Sequence, residues 1–169
     1  MAVQHLNAGH SAEAKSICRQ VLQADSAQPV ALHLLGVLAQ QAGNAERAVE
    51  LLKQALAANP DMAEAHGSLA NAYQDLGQLD AAAGSFRDAI AVMPNLTEAH
   101  SNLGNVLRDQ GKLEAAVASY RKALAINSDI AETHNNLGIA LRDLARLDDA
   151  VSSFHRAIEL QPEFAEAHN

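Results

Sequence analysis

The stretch AEAHGSLANAYQDLGQLDAAAGSFRDAIAVMPNL, Ala63 to Leu96, decides the fold. Its first half places Ala65, Leu69, Ala72, Tyr73 and Leu76 on one stripe. Those steps follow the period of a helix, not the alternation of a strand. The spacing predicts a helix over 63–76. Gly77 then supplies a residue that adopts the left-handed conformation and stops it. A second helix is predicted over 79–92, with Leu79, Ala82, Ala83, Phe86, Ala89 and Ile90 on its apolar side. Pro94 ends the segment. Asp80 in the first turn and Arg87 further on suit the dipole of that second helix.

Outward from this stretch the same pattern returns every 34 residues. Leu35, Leu69, Leu103 and Leu137 form one column; Ala48, Ala82, Ala116 and Ala150 form another. Large residues stand at Leu52, Phe86, Tyr120 and Phe154, with Cys18 in the same column. Four full units run over 29–62, 63–96, 97–130 and 131–164, preceded by a partial unit, 1–28, with a short first helix and a full second one. Alanine columns let helix backbones approach, and the large column fills the gap left between them. A lone helix pair cannot bury both of its faces, so the units must stack.

Composition agrees. Apolar residues make up 49% of the chain but aromatics only 3%, with no Trp, so the apolar mass is Ala, Leu, Val and Ile. Lys and Arg total 12 against 20 Asp and Glu, a net charge of −8. That charge excludes a general nucleic-acid binder, which needs a basic face, and a polybasic membrane anchor. One cysteine excludes an internal disulfide framework. No apolar run is long enough to span a bilayer. No secretory signal precedes the first helix, and a cytoplasmic protein is expected.

The run Leu69, Tyr73, Gly77, Ala82, Phe86, Ala89, Pro94 resembles the tetratricopeptide repeat, as does Leu103, Gly104, Gly111, Ala116, Tyr120, Ala123. The resemblance covers nearly the whole chain. It implies an all-α fold, a right-handed α-solenoid of stacked antiparallel helix pairs forming one domain, with the first helix of each pair lining a concave wall. Two departures stand out. His66, His100 and His134 replace the Trp or Tyr common in the family, and Ala145 replaces the turn glycine. A left-handed Ala145 costs on the order of 1 kcal/mol.

Carried over position by position, the resemblance puts five columns on the inner wall. The first is His33, Gly67, Ser101, Asn135, and the second is Leu34, Ser68, Asn102, Asn136. Then come Val37, Asn71, Asn105, Ile139, followed by Gln40, Gln74, Arg108, Arg142 and by Gln41, Asp75, Asp109, Asp143. A carboxamide offers one acceptor and two donors, which suits a peptide bond. The expected groove residues are Ser68, Asn71, Asn102, Asn105, Asn135 and Asn136 for a peptide backbone, and Arg108, Asp109, Arg142 and Asp143 for its side chains. The Ser68, Asn102, Asn136 column resembles the asparagine ladder of O-GlcNAc transferase repeats.

Three functions stay open: a non-catalytic scaffold for an extended peptide, the recognition arm of a larger enzyme such as a glycosyltransferase, and a self-assembly module. A carboxylate clamp of the co-chaperone kind is disfavoured, because Glu64, Glu98 and Glu132 stand where it needs Lys. No cofactor, metal, nucleic-acid or membrane partner is expected. His66, His100, His134 and His168 are periodic, but equivalent residues in stacked units lie about 10 Å apart, given helix spacings of 8–10 Å, too far to share a zinc ion. A hydrogen-bonding role in the stack is expected instead. Cys18 reads as a small buried hydrophobe. Residues 165–169 restart the first helix of a further unit, so the sequence reads as part of a longer array whose uncapped last helix associates with a neighbour.

Overall fold

The computed structural model describes residues 11–162. Among them are nine α-helices: α1 (Ser11–Ala24), α2 (Pro29–Gln41), α3 (Ala45–Ala58), α4 (Ala63–Asp75), α5 (Leu79–Val92), α6 (Thr97–Asp109), α7 (Leu113–Ile126), α8 (Ala131–Asp143) and α9 (Leu147–Leu160). The fold is all-α, as the period requires. In the stretch 63–96 the second helix has the bounds its stripe predicts, and the first ends one residue early, with Leu76 as its cap. The short first helix expected before α1 and the helix restart after Pro162 lie outside the described residues, as does His168.

The chain divides after Val92 into two compact units. In unit 1, α2 pairs with α3 and α4 with α5, while α1 lies against α2 and α4 packs on α3. In unit 2, α6 pairs with α7 and α8 with α9, and α8 packs on α7. The alanine columns at 48, 82, 116 and 150 and at 55, 89, 123 and 157 are buried, as are Leu52, Phe86 and Tyr120 from the large column. Burying each large side chain contributes about 1.5–3 kcal/mol, which helps hold a pair together.

Small residues face the large column. In unit 2 a methyl added at Gly104 would lie 2.5 Å from the Tyr120 ring, and one at Gly138 would lie 2.6 Å from Phe154. The ring therefore rests on bare helix backbone at both positions.

The helix turns share one hydrogen-bond pattern. Gly77 N–H donates to Gln74 O at 2.8 Å and Gln78 N–H to Tyr73 O at 2.9 Å. The last carbonyls of the helix are thereby satisfied by a left-handed residue. Ala145 keeps both bonds, through Ala145 N–H to Arg142 O and Arg146 N–H to Leu141 O, and does so at a φ of 58°. The left-handed alanine expected at this position is present, with its strain.

Within each unit, the periodic histidines tie the start of a first helix to the loop that precedes it. His66 Nε2–H donates to Pro60 O, His100 to Pro94 O and His134 to Ser128 O, each at 2.9 Å. This is the hydrogen-bonding role expected of the column. Among the described residues no group of three or more His, Cys, Asp or Glu is placed to hold a metal ion, and no helix is long and apolar enough to cross a membrane. Cys18 is buried against Ala31 and Leu34, and burial pushes its thiol pKa up.

Candidate functional site

The polar residues expected on the inner columns fall on the outward faces of the first helices, α2 and α4 in unit 1 and α6 and α8 in unit 2. Each helix presents them at i, i+3, i+4 and i+7, because the opposite side of the same helix carries Leu69 and Ala72, or Leu103, Val106 and Leu107, into the core. Within each unit the two first helices stand side by side, near enough for side chains to bond across.

In unit 1 the cross-helix bonds are His33 Nε2 to Ser68 Oγ at 3.0 Å and Gln40 Nε2–H to Asp75 Oδ2 at 2.9 Å. Burial lowers the His33 pKa, and Glu64 partly opposes that shift. Ser68 is therefore tied to its neighbour. Asn71 is half-buried and has no side-chain hydrogen bond to any described residue. Leu34 departs from its column: it is buried with Cys18 and Ala31, because α1 covers this part of α2.

In unit 2 the bonds across the gap are Ser101 Oγ to Thr133 Oγ1 at 2.9 Å and Asn136 Nδ2–H to Asn105 Oδ1 at 3.2 Å. Asn105 Oδ1 also accepts from the Tyr120 hydroxyl at 2.7 Å. Tyr120 comes from α7 and is fully buried, so this contact links the core to the face. Burial pushes the Tyr120 pKa up to about 12, with Arg108 opposing and Asp109 and Glu132 reinforcing the shift. Asn102 and Asn135 are half-buried and make no side-chain hydrogen bond to a described residue.

The charged rows pair with themselves. Arg108 Nη2 lies 3.4 Å from Asp109 Oδ1, and Arg142 reaches Asp143 Oδ1 through Nε at 3.1 Å and Nη2 at 2.9 Å. An open cleft of about 310 Å³ lies between the starts of α6 and α8, lined by Thr97, Glu98, Ser101, Asn102, Ile130, Glu132 and Thr133. Asn102 is the predicted residue that reaches it. A second open cleft, of about 270 Å³, lies among α7, α8 and α9. Its arginines already face carboxylates, Arg121 with Asp149 at 3.8 Å and Arg156 with Asp129 at 3.1 Å.

Two residues of this face are absent from the sequence expectation. Thr133 is the polar member of an otherwise alanine column, Ala31, Ala65 and Ala99, and that exception is its signal. Tyr120 is the hydroxyl-bearing member of the large column.

Residues 1–63, 39–105 and 131–164 match family models described as the tetratricopeptide repeat, and residues 104–144 match one described as the TPR repeat. No curated protein matches the chain. Among solved structures, MamA is 25% identical at a TM-score of 0.87, over 98% of this chain and 97% of that one. MamA from Desulfovibrio magneticus RS-1 is 20% identical at 0.85, over 96% and 92%. YrrB, described as a TPR protein with an unusual peptide-binding site, is 20% identical at 0.80, over 95% and 83%. The family models together take in residues 1–164, and the chain belongs to the tetratricopeptide repeat family of interaction scaffolds.

Proposed function

We propose that the first-helix face of unit 2 holds an extended peptide segment by its backbone. The observation that carries this reading is the division among the asparagines. Asn105 and Asn136 bond to each other, and Tyr120 anchors Asn105. Asn102 and Asn135 stand on the same two helices with no partner among the described residues. Fixed amides flanked by open ones suit a chain that offers one donor and one acceptor per residue. The Asn102 carboxamide reaches the cleft at the start of α6. In unit 1, Asn71 is the open amide and Ser68 the closed position.

The pairs Arg108–Asp109 and Arg142–Asp143 sit beyond the amides and sort side chains rather than attract one sign of charge. Glu98 and Glu132 border the cleft, so basic or hydroxyl-bearing peptides are favoured over acidic ones. A likeness in fold to YrrB, which is described as having a peptide-binding site, supports the reading.

Fluorescence anisotropy with synthetic peptides of basic, neutral and acidic composition tests it. Asn102→Ala combined with Asn135→Ala should weaken binding by about tenfold or more, the loss of two hydrogen bonds, with the melting curve unchanged. Equal affinity of parent and variant would remove the amides from the mechanism. Tighter binding of acidic peptides would overturn the charge preference.

A further inference from the structure

Most glycines of the described chain have an internal reason. The turn glycines hold a positive φ. On the first helices, a methyl added at Gly36 would stand 2.7 Å from the Leu52 side chain, and Gly104 and Gly138 lie against rings. Gly67 has neither reason. It sits inside α4 without a positive φ, and an added methyl would meet nothing within 4 Å. The other first helices carry a side chain at this position, His33, Ser101 and Asn135. A glycine inside a helix weakens it relative to alanine. Gly67 therefore costs stability and improves no packing.

The surroundings of this notch are amides. Asn71 follows Gly67 by four residues and Gln74 by seven, so the three share one row of α4. Both carboxamides are half-buried, and neither makes a side-chain hydrogen bond to a described residue. The neighbouring row of the same helix is taken: Ser68 bonds to His33, and Asp75 accepts from Gln40. A short, half-buried asparagine reaches only a partner that comes close to the helix. A side chain at position 67 would hold that partner off. The partner suited to this is a main chain. An extended segment offers a free N–H and C=O at each residue, whereas a helix bonds its own internally.

We propose that Gly67 is the contact point of unit 1 for an extended peptide, whose main chain lies against the bare backbone of α4 and hydrogen-bonds to Asn71 and Gln74. This rests on the reading that the ligand is an extended peptide, and it requires none of the amides of unit 2.

Titration of a fluorescently labelled Lys–Ser peptide by anisotropy, paired with melting curves, is the test. Gly67→Ala should raise the melting temperature by about 1–4 °C, the gain from removing a helical glycine. The same variant should weaken peptide binding by about two- to tenfold, the loss of a hydrogen bond to the main chain. Gly84→Ala is the control. Gly84 lies inside α5, and a methyl there also meets nothing within 4 Å. The residues a turn away from it are Asp80, Ala81, Arg87 and Asp88, with no carboxamide among them. This variant should melt higher and bind like the parent. Asn71→Ala should weaken binding as Gly67→Ala does, and the two together little more than either alone, because the methyl acts through the same bond. A Gly67→Ala variant with parent affinity overturns the inference; if Asn102→Ala with Asn135→Ala still weakens binding, the peptide reading survives without it. A parent that binds no peptide overturns both. Fully additive losses, or a lower melting temperature for Gly67→Ala, also overturn the inference.

Discussion

Asn71 in unit 1 and Asn105 in unit 2 occupy the same position of the repeat, yet they differ in what lies beneath. Below Asn71 the large column carries Phe86, and the helix that faces it carries Ala70, both buried. Below Asn105 the column carries Tyr120 and the facing helix carries Gly104. Removing a methyl lets the ring lie against bare backbone, and the added hydroxyl reaches the Asn105 oxygen. Two substitutions thus turn an amide that is merely on the surface into one fixed from the core. Unit 1 stabilises its face by another route, the His33–Ser68 bond. The repeat fixes where the backbone runs, while one or two residues per unit decide which surface amides are held by a neighbour.

The most severe way to break the contrast is Gly104→Ala, which restores the methyl of unit 1 beneath a tyrosine. The ring must move, the Asn105 bond is lost, and about 1–3 kcal/mol of stability should go with it, read from urea unfolding. A loss within error would mean the ring is not confined by the backbone. Tyr120→Phe makes unit 2 like unit 1 and should cost about 0.5–1.5 kcal/mol, one hydrogen bond.

The same variant carries a pH signature. Tyr120 has its pKa pushed up to about 12 in the fold, against about 10 unfolded. Its stabilisation is complete below pH 10 and fades as pH rises from 10 to 12. Melting temperatures across that window should fall more steeply for the parent than for Tyr120→Phe, and parallel curves would place the titration elsewhere.

Ala145→Gly removes the strain of a left-handed alanine and should raise stability by about 1 kcal/mol or less, since glycine also loses more freedom on folding. A lower melting temperature for this variant would contradict the account. The smallest effect belongs to acid. Burial holds the His33 pKa below its ordinary value, so its contribution is present above about pH 6.5 and lost as pH falls through the depressed value. Ser68→Ala should alter that acid limb slightly and leave the alkaline limb untouched, as measured by paired pH–melting profiles.

Much of this architecture was legible in the sequence because a period is a redundant signal. The Leu69 column, the turn glycines, the left-handed Ala145 and the buried Tyr120 follow from spacing alone. The face was legible only as a set of columns. Spacing places equivalent residues 34 apart in one row, but the bonds formed across the gap join residues 35 apart in unit 1, His33 with Ser68, and 32 and 31 apart in unit 2, Ser101 with Thr133 and Asn105 with Asn136. The offsets of the two units differ by three to four residues, about one helical turn, so the neighbour lies in the same direction but a turn higher or lower. That shift depends on how adjacent helices are set along their axes. The burial of Leu34 was hidden for a related reason, because it depends on α1 crossing over α2.

The histidine at each joint bonds to a main-chain oxygen, not to the residue that carries it. Pro60, Pro94 and Ser128 are interchangeable as acceptors, since each offers a backbone carbonyl. Such a fastening tolerates drift in the sequence of the linker. New copies of the 34-residue cassette can therefore be duplicated, exchanged or lost without redesigning the hinge that receives them.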